Sequence, residues 1–436
     1  MKKSTANKTD KRYRAYSVYR DSGVEWLGQV PEHWDVLRLK YAADLINQKV
    51  DGKESGLPYT GLEHIESWTG KRIGNEDATN DGQASVYKCG DVLFGKLRPY
   101  LAKVYASHET GICTGELLVL RPKRVIQVFL NDFLLNPDFI SHVDSSTYGA
   151  KMPRASWDFI GNTPTLVPPV SEQTAIASFL DRETARIDAL IEKKQRQIEL
   201  LQEKRAALIS HAVTKGLHPD VPMKDSGIEW LGQVPEGWEV KKVKYTAQLL
   251  NGYAFDSSTY VEDGIPIIRI GDVSNSIDWN NVKRVPAELL LPLERFRVNQ
   301  GDILLAMTGA TIGKTSVYHY SETALLNQRV GIIRATRISQ KYLSYFVQSN
   351  YYKARIDDLC YGGAQENIGR EDLAKVFIAV PSHREQNDIV AFLDMQTEQM
   401  DRLAGKVRQS IEMLREYRTA LISAAVTGKI DVRESS

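Results

Sequence analysis

The sequence predicts an α+β protein in which two globular domains of mixed strands and helices are joined by two long antiparallel coiled-coil helices. Two observations support this prediction: a helical stretch of more than forty residues occurs twice, and so does a tryptophan-rich turn. Each copy has the same plan, namely the turn, a middle region of about 130 to 150 residues, and the long helix. We therefore expect a pseudo-twofold internal repeat.

The first long helical stretch covers residues 171–217. It contains no proline, and Gly216 near its end is its only glycine. Good helix formers fill most of it, and Ser171 suits the N-cap position. Residues of one face recur alternately four and three positions apart, which is the spacing of a coiled-coil seam. The seam, which has three polar members, consists of Leu180, Thr184, Ile187, Ile191, Lys194, Ile198, Leu201, Arg205, Leu208 and Ala212.

The second stretch begins at Ser382 and repeats the first at an offset of 213 residues. Its seam consists of Leu393, Thr397, Met400, Ala404, Val407, Ile411, Leu414, Arg418, Leu421 and Ala425. At ~1.5 Å per residue, a helix of about 42 residues is roughly 60 Å long and needs a partner of similar length. The alternative is two amphipathic helices that pack on separate domains. The matched seams favour one intramolecular coiled coil.

The tryptophan-rich turn of residues 22–36 recurs at residues 226–240, and twelve of the fifteen positions are identical. Trp26 and Trp34 in the first copy match Trp230 and Trp238 in the second. These rings and the proline between them predict a compact turn stabilised by aromatic packing.

The boundaries follow from these repeats. We predict a basic flexible arm at 1–20, a first globular domain at 21–170, a first spacer helix at 171–215, a linker at 216–225, a second globular domain at 226–381, a second spacer helix at 382–428, and a tail at 429–436. In the first domain we predict strands at 57–65, 85–87, 91–94 and 116–120 and helices at 131–135 and 138–143. In the second we predict strands at 265–270, 302–306, 331–333 and 377–380 and a helix at 340–348. The middle regions are otherwise dissimilar, which indicates two related tasks with different targets.

Composition limits the classes of protein. The three cysteines, Cys89, Cys113 and Cys360, lack metal-ligand spacing, and their odd number argues against a disulfide framework, so we expect a reducing cytoplasm. No run of eighteen apolar residues predicts a membrane span. The net charge is only +1, so any affinity for nucleic acid must come from local basic patches.

Several segments resemble the specificity subunits of Type I restriction-modification systems. They are the two tryptophan turns, residues 166–181 and 378–394, the helix ends at 208–216 and 421–429, and the segments 308–318 and 325–334. The resemblance covers nearly the whole chain after about residue 20 and recurs in the same order in both copies.

The resemblance implies two target-recognition domains, each of which reads one half of a split sequence in double-stranded DNA. The helices would set the spacer between the half-sites and dock two methyltransferase subunits, and two motor-nuclease subunits would complete the restriction complex. The chain itself would have no catalytic site and no cofactor, because the methyl donor, ATP and magnesium are expected on the partner subunits. The alternative is a non-catalytic coiled-coil adaptor that presents two protein-binding domains.

Three patterns that could indicate an enzyme are weak. Residues 309–315 resemble a phosphate-binding loop but are one residue short. Residues 136–139 resemble the Asn-Pro-Pro-aromatic segment of adenine methyltransferases, but Asp138 stands at the third position, and a turn is the simpler interpretation. The eight histidines show no metal-binding spacing, so we predict no metal site.

The candidate DNA contacts are basic, amide, hydroxyl and aromatic side chains in Gly- or Pro-marked segments. Such side chains can contact phosphates or base edges, although any one of them could be an ordinary solvated residue. In the first domain they are Lys96, Arg98, Tyr100, Lys103, Lys151 and Arg154. In the second they are Thr308, Thr311, Lys314, Asn327, Gln328, Arg329, Tyr361, Gln365 and Asn367. Segment 361–369 is predicted to be the counterpart of segment 148–157.

Overall fold

The computed structural model describes residues 13–74, 82–149, 151–274, 276–361 and 367–433. The chain forms two compact units, one from residues 1–195 and 408–436, and one from residues 196–407. We call them unit 1 and unit 2. Both long helices contribute to both units, so the units do not coincide with consecutive halves of the sequence.

Unit 1 contains twelve described strands and five helices. The strands are β1 (Tyr19–Asp21), β2 (Gln29–Pro31), β3 (Asp35–Arg38), β4 (Ala43–Ile46), β5 (Lys49–Asp51), β6 (Tyr59–Thr60), β7 (Gln83–Tyr87), β8 (Val92–Gly95), β9 (Val104–Ala106), β10 (Gly111–Cys113), β11 (Leu117–Pro122) and β12 (Pro164–Val167). The helices are α1 (Leu39–Ala42), α2 (Gln127–Leu134), α3 (Pro137–Ser145), α4 (Trp157–Asn162) and the first part of α5 (Val170–Lys215).

The strands of unit 1 form two four-stranded sheets and two short pairs. One sheet has the antiparallel order β4-β11-β8-β9. The other has the order β5-β7-β10-β6, in which β10 and β6 are parallel. The short pairs are β1-β2 and β12-β3. The second pair brings the end of the globular domain back to its beginning, directly before α5 starts.

Unit 2 repeats this arrangement. After the end of α5, its strands are β13 (Met223–Asp225), β14 (Gln233–Pro235), β15 (Glu239–Lys242), β16 (Ala247–Asn251), β17 (Ile265–Ile268), β18 (Arg284–Val285), β19 (Arg297–Val298), β20 (Ile303–Ala306), β21 (Thr315–Val317), β22 (Ala324–Leu326), β23 (Val330–Ala335) and β24 (Phe377–Val380). Its helices are α6 (Gln340–Phe346), α7 (Asn350–Tyr361), α8 (Arg370–Leu373) and the first part of α9 (His383–Val426).

The sheets of unit 2 confirm the predicted repeat. The antiparallel order β16-β23-β20-β21 matches β4-β11-β8-β9 in unit 1, and the pairs β13-β14 and β15-β24 match β1-β2 and β12-β3. The remaining sheets share three strands but differ at one edge. In unit 1 the additional strand β5 pairs with β7, whereas in unit 2 the additional strand β18 pairs with β17. The two units therefore diverge at a sheet edge while the central strands are kept.

An arginine–aspartate pair supports the antiparallel sheet at the same place in each unit. In unit 1, Arg121 donates Nε and Nη2 hydrogen bonds of 2.8 Å to the buried carboxylate of Asp91. In unit 2, Arg334 donates the same bonds to Asp302, at 2.7 and 2.5 Å. In each unit, hydrogen bonding to the carboxylate raises the pKa of the arginine. The paired geometry keeps both ions satisfied where they are partly removed from water.

The long helices pack antiparallel within each unit, as their seams predict. In unit 1, the core joins Leu180 and Ile187 of α5 to Leu421 and Ala425 of α9. In unit 2, it joins Ala212 of α5 to the early residues of α9, including Ile389 and Leu393. All twenty seam positions are buried or half-buried. The hydrophobic repeat therefore predicted both the helices and the face that each one buries.

The two arginines of the seams make polar contacts of their own. In unit 1, Arg418 Nε donates to the Asp188 carboxylate at 3.0 Å, and its other nitrogens face the carbonyl oxygens of Trp68 and Thr69. In unit 2, Arg205 Nη1 donates to the side-chain oxygen of Gln348 at 3.4 Å, and its Nε lies 3.8 Å from the Asp401 carboxylate, an ion-pair distance too long for a hydrogen bond. A polar side chain in a helix seam costs stability unless it finds such partners, but it fixes the register of the pair.

The Glu-Gln pair that begins each long helix anchors it to the globular part of its unit. The Oε1 of Gln173 accepts a hydrogen bond from the backbone nitrogen of Ile126 at 2.7 Å, directly before α2. In unit 2, Gln386 accepts from Ser339 at the same distance, directly before α6. Each glutamine is buried and satisfies an otherwise unpaired backbone group at a helix start.

The predicted flexible arm needs a correction where it is described. Residues 1–12 lie outside the described residues, but residues 13–20 are packed. Tyr13 meets the ring of Phe179 edge-on at 5.3 Å, and Tyr16 is buried. The Tyr19 hydroxyl donates to the carbonyl oxygen of Gly428 at 2.9 Å, and the backbone nitrogen of Asp431 donates to Arg14 at 2.7 Å. The basic composition suggested solvation, whereas three tyrosines supply the apolar surface that holds this segment.

The tryptophan turns are compact, as predicted, but their two rings have different contacts. Trp34 is fully buried, and its ring meets that of Tyr16 at 5.6 Å. Trp26 instead packs on Phe139 of α3 and stacks on His142. The turn therefore connects the globular part of unit 1 to the region where the long helices meet it.

Candidate nucleic-acid interface

Three chain segments meet beside the antiparallel sheet of unit 1. The backbone nitrogen of Lys96 donates to the carbonyl oxygen of Glu116 at 3.0 Å, and that of Ala155 donates to Lys96 at 3.0 Å. Leu97 forms an isolated β-bridge with Arg154, and the Arg98 nitrogen donates to Pro153 at 2.7 Å. We call these segments, residues 96–98, 114–116, 148–149 and 151–155, the junction of unit 1.

The loop that ends in Arg154 is closed at its base. The backbones of Tyr148 and Arg154 exchange hydrogen bonds of 3.1 and 3.0 Å, which hold the two ends of the loop together. Gly149 has a positive φ of 91°. This backbone conformation is energetically unfavourable for any residue that has a side chain. Lys151 is exposed in this loop, and so are the large apolar side chains Tyr148 and Met152.

Arg98 occupies a strained position on the same junction. Its φ of 51° and ψ of 63° are left-handed, which costs a non-glycine residue of order 1–3 kcal/mol. The short 3₁₀ turn Pro99–Leu101 follows and presents Tyr100 at the surface. Arg98 is exposed, and its guanidinium forms no ion pair among the described residues. The junction therefore brings together Lys96, Arg98, Lys151 and Arg154, with Tyr100 two residues from Arg98.

Lys103, the remaining candidate of the first domain, lies apart from these residues. Its ammonium group donates to the backbone carbonyl of Ile65, and its Cβ lies beside Gly95. The residue is half-buried. An alternation of basic and aromatic residues suggested a contact surface, but the chain turns inward at Ala102, which also has a positive φ of 45°.

Unit 2 has a junction built by the same backbone hydrogen bonds. The Met307 nitrogen donates to the carbonyl oxygen of Arg329 at 3.1 Å, and the Ile368 nitrogen donates to Met307 at 3.0 Å. Thr308 forms an isolated β-bridge with Asn367. These bonds match those of Lys96, Glu116, Ala155, Leu97 and Arg154 in unit 1. The junction of unit 2 therefore consists of residues 307–308, 327–329 and 367–368.

This junction collects five of the nine candidates of the second domain: Thr308, Asn327, Gln328, Arg329 and Asn367. Gln328, Arg329 and Asn367 are exposed. Tyr253 lies beside Asn327 through a β-bridge and is 40% exposed, so it adds an aromatic side chain that the sequence did not single out.

The other candidates of the second domain lie elsewhere. Thr311 and Lys314 line a cleft of about 1040 Å³ beside α6 and α9, and no side chain of the junction lines this cleft. Tyr361 is the last residue of α7, and its side chain lies outside the described part of the chain, as does all of Gln365.

Residues 309–315, which match a phosphate-binding loop only weakly in sequence, have a different local structure. Residues Gly309–Thr311 form a single 3₁₀ turn, and the chain enters β21 at Thr315. A phosphate-binding loop of that kind leads into a helix whose N-terminus faces the phosphates. Segment 136–139 also has a structural role, because Asn136 caps α3 by accepting a hydrogen bond from the Asp138 nitrogen at 3.0 Å.

Glu116 is the junction residue that sequence reasoning missed. Its carboxylate accepts three bonds of 2.9–3.2 Å from Nε and Nη2 of Arg154. This contact joins residues 38 positions apart, so no local pattern reveals it. An alignment of the two copies through β11 and β23 would have drawn attention to Glu116, because it shows that Glu116 and Arg329 occupy equivalent positions.

The described residues offer no metal site and no membrane-spanning helix. They contain no group of three or more histidine, cysteine, aspartate or glutamate side chains arranged to hold a metal ion. Across the same residues, no helix combines the length and the apolar character that crossing a membrane requires.

Comparisons with known proteins agree with the resemblance seen in the sequence. Residues 235–413 match the family model of the Type I restriction modification DNA specificity domain. The MjaVIII specificity subunit of a Type I restriction enzyme from Methanocaldococcus jannaschii is 26% identical over 429 residues, which cover 93% of this chain and 95% of that protein. The EcoKI specificity subunit from Escherichia coli strain K12 is 26% identical over 208 residues, which cover 46% of this chain and 44% of that protein.

A solved structure has the same fold. The structure concerns complex assembly and conformational transition of the type I R-M system. The structural similarity covers 91% of this chain and 98% of the chain in that structure. The TM-score is 0.69 at 20% sequence identity. Taken together, the comparisons show one likeness: residues 235–413 match the Type I restriction modification DNA specificity domain, and almost the whole chain is similar to a Type I restriction enzyme specificity subunit.

Proposed function

We propose that the junction of each unit reads one half of a two-part sequence in double-stranded DNA. The observation that carries this proposal is the repetition of one backbone arrangement with different exposed side chains. Unit 1 presents Arg98 and Lys151, whereas unit 2 presents Gln328, Arg329 and Asn367. Arginine can bind guanine, and glutamine or asparagine can bind adenine, through paired hydrogen bonds in the major groove. A kept scaffold with exchanged side chains suits two different half-sites.

We also propose that the long helices dock methyltransferase subunits. Their outer faces carry exposed apolar side chains that the seam does not use, including Leu190 and Met413 in unit 1 and Leu200, Met395 and Leu403 in unit 2. Unit 1 also has an open cavity of about 1310 Å³, lined by Trp68, Glu192 and part of α9. Exposed apolar surface beside a concave surface is typical of protein interfaces. Two methyltransferase subunits and, in the restriction complex, two motor-nuclease subunits are the proposed partners.

The chain itself is proposed to be non-catalytic and to work in the cytoplasm. The methyl donor, ATP and magnesium belong to the partner subunits in this proposal. The purified chain should neither methylate nor cleave DNA, and should not hydrolyse ATP, until the partners are added. ATP turnover by the purified chain that Lys314→Ala abolishes would contradict this part of the proposal.

Salt-dependent binding to duplex DNA tests the central proposal. A fluorescent duplex that contains the target should bind the full-length chain, alone or with its methyltransferase subunits, with an affinity that falls as salt rises, because phosphate contacts release counterions. An excess of unrelated duplex should compete poorly. A chain that binds partner proteins but no duplex at any salt concentration would instead be a coiled-coil adaptor.

A further inference from the structure

The two junctions place unlike residues at equivalent positions. Glu116 directly precedes β11, and its carbonyl oxygen accepts from Lys96; Arg329 directly precedes β23, and its carbonyl oxygen accepts from Met307. The second pair of equivalent residues is Arg154 and Asn367, since each forms the β-bridge to the segment after β8 or β20. A Glu–Arg combination in unit 1 therefore corresponds to an Arg–Asn combination in unit 2.

In unit 1 the two side chains bind each other. Arg154 holds the Glu116 carboxylate through Nε and Nη2, while 28% of the Glu116 side chain and 37% of the Arg154 side chain remain exposed. In unit 2, Arg329 is exposed, and its guanidinium pairs with no carboxylate among the described residues. The carboxylate of unit 1 is thus held by Arg154, whereas no described residue accepts a hydrogen bond from the Arg329 guanidinium of unit 2.

The hydrogen-bonding chemistry of the two surfaces differs accordingly. A carboxylate has about four acceptor positions, and Arg154 directs donors at one side of it, so outward-facing acceptors remain. Carboxylates accept from the exocyclic amino group of cytosine, and adenine carries an amino group in the major groove as well. A free guanidinium offers only donors, which match the two acceptors O6 and N7 of guanine.

We propose that Glu116, held by Arg154, determines specificity in the first half-site by accepting a hydrogen bond from the amino group of an adenine or cytosine, and that Arg329 donates to a guanine at the equivalent place in the second. This inference rests on the proposed function and goes beyond it, because it assigns one base class to each unit. Arg154 acts here as a positioning residue for the carboxylate. The competing interpretation is that the Glu116–Arg154 pair merely holds the end of the loop at Arg154 in place.

The experiment selects bound sequences from a randomised duplex library with the full-length protein and two variants. Glu116→Gln has almost the same shape, but one acceptor oxygen becomes an amino group. It should weaken the preference for the amino-bearing base at one position of the first half-site by roughly 5- to 150-fold, the range that one good base contact provides. The second half-site should not change. Arg329→Gln should do the reverse, with loss of a guanine preference at one position of the second half-site only.

Each other outcome has a defined meaning. Equal weakening of all sequences by Glu116→Gln, with every base preference kept, would show a loop clamp and overturn the inference. Glu116→Asp keeps the carboxylate and should therefore retain the base preference that Glu116→Gln weakens. If Glu116→Gln does not fold, an unchanged second half-site for Arg329→Gln would still contradict the assignment. A wild-type protein that selects no sequence would overturn the proposed function itself.

Discussion

The carboxylate of Glu172 accepts a hydrogen bond from the indole nitrogen of Trp34 at 3.0 Å, whereas the equivalent indole nitrogen of Trp238 has no partner among the described residues. Glu172 is buried and also accepts from the Tyr16 hydroxyl at 3.1 Å. Burial and this carboxylate both raise the pKa of Tyr16. The two copies of one turn are therefore fixed to their helices by different polar contacts.

This difference predicts unequal effects of matched substitutions. Glu172→Ala leaves two buried donors without an acceptor, at about 1–3 kcal/mol each, so the free energy of unfolding should fall by roughly 2–6 kcal/mol. Glu385→Ala is the matched control in unit 2 and should cost less than about 1 kcal/mol. Urea unfolding followed by tryptophan fluorescence measures both. Equal losses would mean that the hydrogen bonds of Glu172 contribute little.

Asp132 predicts a dependence of stability on pH. Burial raises its pKa to about 7, the Asp181 carboxylate adds to the rise, and Asn131 and Arg418 oppose it. His108 and Asp188 line the same cavity. The pKa of Asp132 in the folded state exceeds the unfolded value of about 3.9. The contribution of its carboxyl group to the free energy of unfolding is therefore fully present below about pH 4 and is lost as the pH rises through 7.

Asp132→Asn removes this titration. The free energy of unfolding of the variant, relative to the wild type, should therefore increase between pH 4 and pH 8. Unfolding in urea at several pH values is the measurement. The exposed Asp158→Asn is the control and should follow the wild type. A constant difference across the range would show that Asp132 titrates normally.

Modular recognition predicts the result of a domain exchange. The pairs β12-β3 and β15-β24 close each globular part, and the middle regions between them differ. Replacing residues 252–379 with the equivalent region of a relative should change one half of the methylated sequence and leave the other half intact. Methylation-site sequencing in cells with the partner subunits shows which positions change. Changes in both halves would contradict independent reading.

The long helices are predicted to set the spacer between the half-sites. Four residues inserted near Lys194 and four near Val407 add ~6 Å of helix, which is between one and two base pairs of ~3.4 Å. The methylated sequence should keep both half-sites and gain one or two unspecified positions. Some loss of activity is expected, because four residues do not complete a heptad. An insertion in one helix alone is the control, since the seams can no longer match. An active double insertion with the original spacer would exclude this role.

The sequence predicted the parts of the fold that repeat with a period. The alternation of three and four residues identified the seams, and the near-identical turns identified the two copies. Strand β24 lies where predicted, and β7, β8, β11 and β23 overlap their predictions, because runs of buried apolar residues marked them. The prediction of a strand over residues 57–65 was too long, because only Tyr59–Thr60 pair before a 3₁₀ turn begins. A run of apolar residues does not reveal whether a neighbouring strand is available.

The candidate interface could be predicted only in part. Exposed residues beside strand ends, such as Arg98 and Arg329, follow from the order of strand and loop. The inward turn of Lys103, the distance between Lys314 and the junction, and the pairing of Glu116 with Arg154 depend on how distant segments meet. Lys103 and Ile65, for example, are 38 residues apart in the sequence. Local composition contains no information about contacts over such separations.

Residues 13–20 contact residues 428–433, so the two ends of the described chain meet through non-covalent contacts. In unit 2, the corresponding place is crossed by the continuous chain from Gly216 to β13. In unit 1, a hydrogen bond between Asp431 and Arg14 closes the same path without a covalent link. A chain cut between Gly216 and Met223, with the residues after Arg433 joined to those before Tyr13, should therefore fold to the same two units. Which unit comes first in the gene is then independent of the structure, and the two recognition units are interchangeable in order.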